Sequence, residues 1–293
     1  MSNPLISFAI PAYNRPELLK ETLLSIAAQT YPIDYEVVIC DDGLKPQTRI
    51  LAEGFPEGRC RYIANSPALG AVKNWNRCIS QSRGTWVMVL HEDDALYPWY
   101  IQSVIDRLND SVVAVCTQTI QGQSVPHISQ STSRPSVWAY PALYFLKSAM
   151  TPFPGVLIRR SVAEQLEGFS ESWGPLADYE FWYRLSCKGR IEVVRQVAAF
   201  YRVSLGQWTD QSWPRMLREI HLLRLRIAKE QLPQHPKLGK WIARFFTYRT
   251  AKSYLKRFSD RPTSLIRTLK FKRICFSSLP SGWVWQLVKS LSS

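Results

Sequence analysis

Four short apolar runs, each followed by polar or acidic residues and separated by segments of helical periodicity, constrain this chain more than any other feature. LISFAIP (5–11), YEVVICDDG (35–43), CRYIANS (60–66) and TWVMVL (85–90) read as buried strands. The first is followed by RPELLKETLLSIAAQ, where Pro16 suits a first helical turn and Leu19, Leu23 and Ile26 share one face. From Gly70 to Ser82, residues Ala71, Trp75, Cys78 and Ile79 recur at helical spacing. Strands alternating with helices at this pitch predict right-handed βαβ units and a mostly parallel α/β sheet. Such sheets bind ligands beyond the carboxyl ends of their strands, near a topological switch point. Three of those ends are polar here: AYNR (12–15), Asp41 with Asp42, and Glu92, Asp93 and Asp94. They are expected to converge on one site.

The middle of the chain is less regular. DSVVAVCTQTI (110–120) predicts another strand, residues 121–139 a Ser/Gln/Pro-rich loop, and YPALYFLKSAM (140–150) a helix. PGVLIRR predicts a strand leading into a short helix closed by Gly168, and DYEFWYRLSCKG a helix with Asp178 near its start. Beyond Pro214 the sequence turns to basic amphipathic helices, with Met216, Ile220, Leu223 and Ile227 on one stripe and Trp241, Phe245 and Tyr248 on another. A catalytic core over 1–212 and a helical region over 213–293 are the expected divisions.

Charge follows that division. Up to Pro214 there are 19 Lys and Arg against 20 Asp and Glu, and from Arg215 onward 18 against 3, so the final segment carries +15. Such asymmetry calls for an anionic partner. No nucleic-acid recognition motif accompanies it; the cations together with Trp241, Phe245, Trp283 and Trp285 favour an anionic membrane surface. The six cysteines form no CxxC pair, which argues against a disulfide framework or a zinc site. With neither a signal-like N-terminus nor a long apolar stretch, the expected location is the cytoplasm, extending to the inner face of the cell membrane.

The acids supply chemistry. Hard oxygen ligands suit Mg2+ or Mn2+, above all where substrate phosphates complete the shell. FAIPAYNRPELLKETLLSIAAQT, YEVVICDDG, HEDDALYP and ADYEFWYRL, in this order and spacing, resemble the inverting family 2 glycosyltransferases of the GT-A fold. The resemblance covers about residues 4–212 and implies transfer of a sugar from a nucleotide donor, UDP- or dTDP-linked, to a hydroxyl of a glycan or lipid-linked acceptor, with Mn2+ or Mg2+. It also implies a bacterial setting and a role in cell-surface polysaccharide or lipopolysaccharide synthesis.

Residue by residue, the resemblance implies that Pro11, Ala12 and Tyr13 lie along the nucleotide, Tyr13 against the base, with Asn14 and Arg15 completing that segment. Asp42, beside Asp41, matches the acid that contacts base or ribose. Asp94 matches a direct metal ligand, and Asp93 a second ligand near the ribose. His91 stands where many members have the motif's first Asp, which implies weaker metal affinity because a neutral imidazole brings less charge. Lys73 is a candidate phosphate contact. Asp178 matches the catalytic base, which takes the acceptor hydroxyl's proton as that oxygen attacks the anomeric carbon opposite the diphosphate. Glu180 would position acceptor or metal, with Arg184 pairing to one of these acids. Trp173 and Trp182 are candidates for stacking on a sugar. Ser204 replaces a frequent His, leaving Arg202 and Gln207 as candidate diphosphate contacts.

The residues also admit plainer readings. Asp41 before Gly43 suits an Asx turn, Asp178 a helix N-cap, Lys73 a solvated helix position, and the tryptophans core packing. Two other functions fit parts of the pattern: a nucleotide-sugar-binding module without catalysis, and a glycoside hydrolase using paired carboxylates.

Overall fold

The computed structural model describes residues 4–131, 135–149, 152–204 and 208–257. Gln207, Trp283 and Trp285 lie outside the described residues. The chain divides into two compact units, with Pro141–Ala149 joining the residues from Trp208 onward and the remainder forming the first unit.

In the first unit, β1 (Ile6–Ala12), β2 (Tyr35–Asp41), β3 (Cys60–Ala64) and β4 (Trp86–Val89) pair in parallel in the order β3-β2-β1-β4. The crossovers carry α1 (Pro16–Ala27), α2 (Pro46–Glu53) and α3 (Ala71–Gln81). Pro16 opens α1, where its missing amide costs nothing. Leu19, Leu23 and Ile26 of that helix are buried in one cluster with Ile6, Phe8 and Ile10 of β1. The chain leaves β1 toward β2 and later returns to its other side as β4, which puts the switch point at the carboxyl ends of β1 and β4.

The sheet continues through β5 (Ala95–Leu96), β6 (Val112–Gly122), β7 (Val137–Ala139), β8 (Val156–Arg159) and β9 (Arg190–Arg202). Its order is β3-β2-β1-β4-β8-β6-β9-β5, with β7 also on β9. Antiparallel pairing is confined to ladders of two or three residues, whereas β6 and β9 run parallel along most of their length. Helices α4 (Tyr100–Val104), α5 (Arg160–Gln165) and α6 (Ala177–Ser186) complete the unit.

At the amino ends of the strands a buried polar network fixes the register. The Glu36 carboxylate accepts from Ser7 Oγ at 2.6 Å and from the Arg61 guanidinium at 2.8 Å. Burial alone would raise its pKa, but these hydrogen bonds, the Arg83 amide and the Arg61 charge hold it below the usual value. Gly84 lies so close that a Cβ there would meet the Ser7 nitrogen at 2.6 Å, so this turn needs glycine.

Two expectations are corrected. Among its described residues YPALYFLKSAM forms a 3-10 turn at Ala142–Leu146 rather than a longer helix, and the loop expected over 121–139 includes the end of β6 and all of β7. In the second unit, α7 (Trp208–Gln231) and α8 (Pro236–Arg257) pack together, and Met216, Ile220, Leu223 and Ile227 are buried. That stripe is thus internal to the helical unit. Trp241 and Phe245 remain half-buried and stack at 5.4 Å. Among the described residues, no helix is long and apolar enough to cross a membrane.

Candidate active site at the strand ends

After β4 the chain turns through His91–Asp94, closed by a bond from the Asp94 amide to the His91 carbonyl at 3.1 Å. Two neighbours hold this turn. The Thr22 hydroxyl of α1 lies 2.9 Å from the Glu92 carbonyl and 2.7 Å from that of Asp94, sharing its proton between them. Arg202, at the end of β9, donates its amide to Asp94 Oδ1 at 3.0 Å and Nε to the Asp93 carbonyl at 2.8 Å. Its Nη1 and Nη2 reach the Gln123 carbonyl at 2.8 Å and Glu21 at 2.6 Å. Through these bonds Arg202, a candidate diphosphate contact, braces the acidic turn.

Glu92 joins this turn to the end of β1. Its Oε2 accepts from the Tyr13 amide at 2.8 Å and its Oε1 from Arg15 Nε at 2.9 Å, while Arg15 Nη1 reaches Asp93 Oδ2 at 2.5 Å. Burial raises the Glu92 carboxyl above its ordinary value even against these donors. Asp94 is raised further, by burial and the neighbouring Asp93 charge, although Arg202 and Arg15 oppose the shift.

His91 stacks on Trp75 at 5.5 Å and lies 4.5 Å from Phe153. Burial lowers its pKa to about 4, so the ring is neutral at physiological pH and keeps a lone pair for ligation. His91, Asp93 and Asp94 bring one ligand atom each within 4.8 Å of one another. His91 Nε2 and Asp94 Oδ2 are buried with no hydrogen-bond partner among the described residues. These two orphaned atoms beside the Asp93 carboxylate fit a divalent cation, because it would satisfy atoms that are costly to bury alone. His91 thus stands in the group of residues that could hold a metal ion.

The other candidate residues lie at the ends of β1 and β2 or on α3. Tyr13 is 59% exposed, leaving its ring open for stacking. Pro11 and Ala12 continue the ladder with β2, where the Ala12 carbonyl accepts from the Asp42 amide at 3.0 Å. Asn14 has φ 65° and accepts from Lys45 Nζ through its carbonyl at 2.8 Å. A Cβ on Gly43 would meet the Asn14 nitrogen at 2.6 Å, so glycine lets the two strand-end loops touch. Asp41 makes the Asx turn to the Gly43 amide at 2.8 Å and accepts from the Tyr62 hydroxyl at 3.0 Å. Asp42 accepts from Asn65, Leu69 and Gly70, fixing the loop that starts α3. Lys73 is exposed and 3.6 Å from Glu171.

Asp178 sits in the first turn of α6, half-buried, and among the described residues receives main-chain amides, that of Tyr179 at 2.7 Å and its own. Burial raises its pKa from 3.8 to about 6, with those amides pulling the other way. It has no cationic partner among the described residues, unlike Glu180, whose carboxylate takes Arg184 Nε at 2.9 Å. Arg184 also donates to the Leu166 and Gly168 carbonyls, locking α6 to the loop before it. Phe153 lies between His91 and Trp182, so an aromatic chain connects the acidic turn to α6. Trp182 itself is 1% exposed among Phe153, Phe169 and Phe181, which corrects its reading as a sugar platform: it is core. Trp173 remains partly exposed. Thr22, Glu21 and the role of Glu92 were not foreseen. Glu92 was visible in the acidic cluster, whereas the α1 residues carried no local signal.

The sheet, with an acidic turn and the exposed Tyr13 ring at its switch point, has a GT-A-like fold. Solved structures have this fold. Staphylococcus aureus TarS 1-349 in complex with UDP-GlcNAc matches with TM-score 0.64 at 17% identity, covering 83% of this chain and 72% of that one. The mannosyltransferase PcManGT of Pyrobaculum calidifontis, in complex with GDP-Man and Mn2+, matches with TM-score 0.56 at 16% identity, covering 94% and 82%. The model of glycosyl transferase family 2 matches residues 7–166, and the chain belongs to that family. Relatives include chondroitin synthase of Escherichia coli, 28% identical over 210 residues, which are 71% of this chain and 30% of that protein. An uncharacterized glycosyltransferase of Rickettsia typhi is 25% identical over 219 residues, 71% of this chain and 67% of its own length. An uncharacterized protein of Mycobacterium tuberculosis is 26% identical over 206 residues, 65% of this chain and 64% of its own length. The matched region thus spans about two thirds of the latter two and under a third of the synthase.

Proposed function

We propose that the protein is a metal-dependent inverting glycosyltransferase that moves a sugar from a UDP- or dTDP-sugar to a hydroxyl of a glycan or lipid-linked acceptor in cell-surface polysaccharide or lipopolysaccharide synthesis. The observation that carries this is the division of carboxylates into two environments. Asp93 and Asp94 meet His91 in a ligand-like group, and Asp178 stands apart with no cationic partner among the described residues and a pKa raised to about 6. One set suits charge binding and the other proton transfer.

His91, Asp93 and Asp94 would hold Mn2+ or Mg2+, whose charge offsets that developing on the diphosphate leaving group. The remaining work belongs to side chains and main chain. Tyr13 packs the base; Asp42 keeps the 65–70 loop in place, and Glu92 fixes the Tyr13 amide beside the acidic turn. Asp178 accepts the proton of the acceptor hydroxyl, a role for which a pKa near the working pH is well matched. The C-terminal +15 segment would bring the enzyme to anionic lipid at the inner face of the membrane, where a lipid-linked acceptor resides.

The test is a panel of nucleotide sugars incubated with the enzyme and Mn2+, read as nucleoside diphosphate release. Release from a UDP- or dTDP-sugar that stops on chelation is expected. Donor binding without any turnover, unchanged by Asp178→Asn, would favour a binding module instead.

A further inference from the structure

We propose that Arg15 is the resident cation of the acidic turn: it neutralises Asp93 until a divalent cation arrives, then gives up that carboxylate and turns to the donor's diphosphate. This rests on the metal-dependent reading above. The guanidinium is held by two acids of different standing. Nε is bound to Glu92, which is anchored by the Tyr13 amide and lies outside the group of three converging ligands. Nη1 is bound to Asp93, which lies within that group. One bond can therefore break while the other serves as a hinge.

Exposure says which partner moves. The Arg15 side chain is 47% exposed and that of Asp93 is 9%, so the arginine head can swing into solvent while the carboxylate stays. The other cation at the turn, Arg202, is buried and bound to four separate protein acceptors, three of them through the guanidinium. Among the described residues at the turn, Arg15 is thus the mobile positive charge that a divalent cation meets on reaching Asp93. Like charges a few Å apart repel, and the arrival of the ion favours release of Nη1. A planar guanidinium freed in this way, two residues beyond the exposed Tyr13 ring, suits bidentate contact with a diphosphate.

The consequence is a split that a merely structural arginine would not produce. Mn2+ binding is measured by electron paramagnetic resonance without nucleotide, and UDP binding by calorimetry with Mn2+ present, for the wild type, Arg15→Gln and Arg15→Lys. Arg15→Gln is expected to bind Mn2+ about 10-fold more tightly and UDP about 10-fold more weakly, the size expected for one partly screened charge. Arg15→Lys keeps the charge and should hold Mn2+ close to the wild-type value. Equal or weaker Mn2+ binding by Arg15→Gln, with the wild type binding the ion, would overturn the role of Arg15 alone. Mn2+ binding by neither wild type nor Arg15→Gln would overturn the metal-dependent reading, and the role of Arg15 with it.

Discussion

Replacing Asp178 by asparagine is expected to lower kcat about 100- to 10,000-fold, the usual contribution of a positioned general base, while Mn2+ and donor affinities stay close to wild type. The substitution preserves shape and an oxygen for the Tyr179 amide, which lies 2.7 Å from Oδ1, but removes the site that takes the proton. Acidity gives a second signature. Burial raises this carboxyl from 3.8 to about 6, and the base acts only when ionised, so the wild-type rate should fall as pH drops through about 6. An ordinary carboxylate would keep working well below that. Initial rates of nucleoside diphosphate release at Mn2+ kept saturating between pH 5 and 8 check both points, since Asp178→Asn should then lose that acidic limb along with most of the rate.

Asp94→Asn is expected to act on binding instead. Loss of outer-sphere support alone costs about 10- to 100-fold in metal affinity, and removing a ligand should cost at least the upper figure. Asparagine can still accept the Arg202 amide through Oδ1, so the turn should keep its form. Calorimetric titration with Mn2+ and then with donor should show both affinities reduced, with turnover at saturation less affected than in Asp178→Asn. Binding retained with turnover abolished would exchange the roles of the two acids. Because burial and the Asp93 charge raise the Asp94 carboxyl, protons compete with the ion there, and metal binding should weaken as the solution is acidified.

The central strands were readable because parallel strands covered on both faces are written as continuous apolar runs, as in YEVVIC and TWVMV. Strand β9 escaped notice because Arg190, Glu192, Arg195 and Gln196 interrupt its apolar positions, and the two residues of β5 carry no periodicity at all. The stripe on α7 was visible, but its burial within the helical unit depends on pairing with another helix, which local spacing does not encode. At the site, the acids stood out by their place at strand ends. The Asx turn of Asp41 to Gly43 was also readable, but not that Asp42 anchors the loop before α3 or that Glu92 carries Arg15. Trp182 shows the same limit, since Tyr179, Glu180, Phe181, Tyr183 and Leu185 around it in α6 are also buried and no polar face marks the aromatic as internal.

The central claim is single displacement at the anomeric carbon, assisted by Asp178 from the face opposite the diphosphate. Donor hydrolysis tests it without a known acceptor, since water then takes the acceptor hydroxyl's place. Proton NMR of the sugar first released from an α-linked UDP-sugar, recorded before mutarotation, reads the outcome. The β anomer should appear first. First release of the α anomer would mean retention and would contradict the assignment of Asp178 as the base of an inverting transferase.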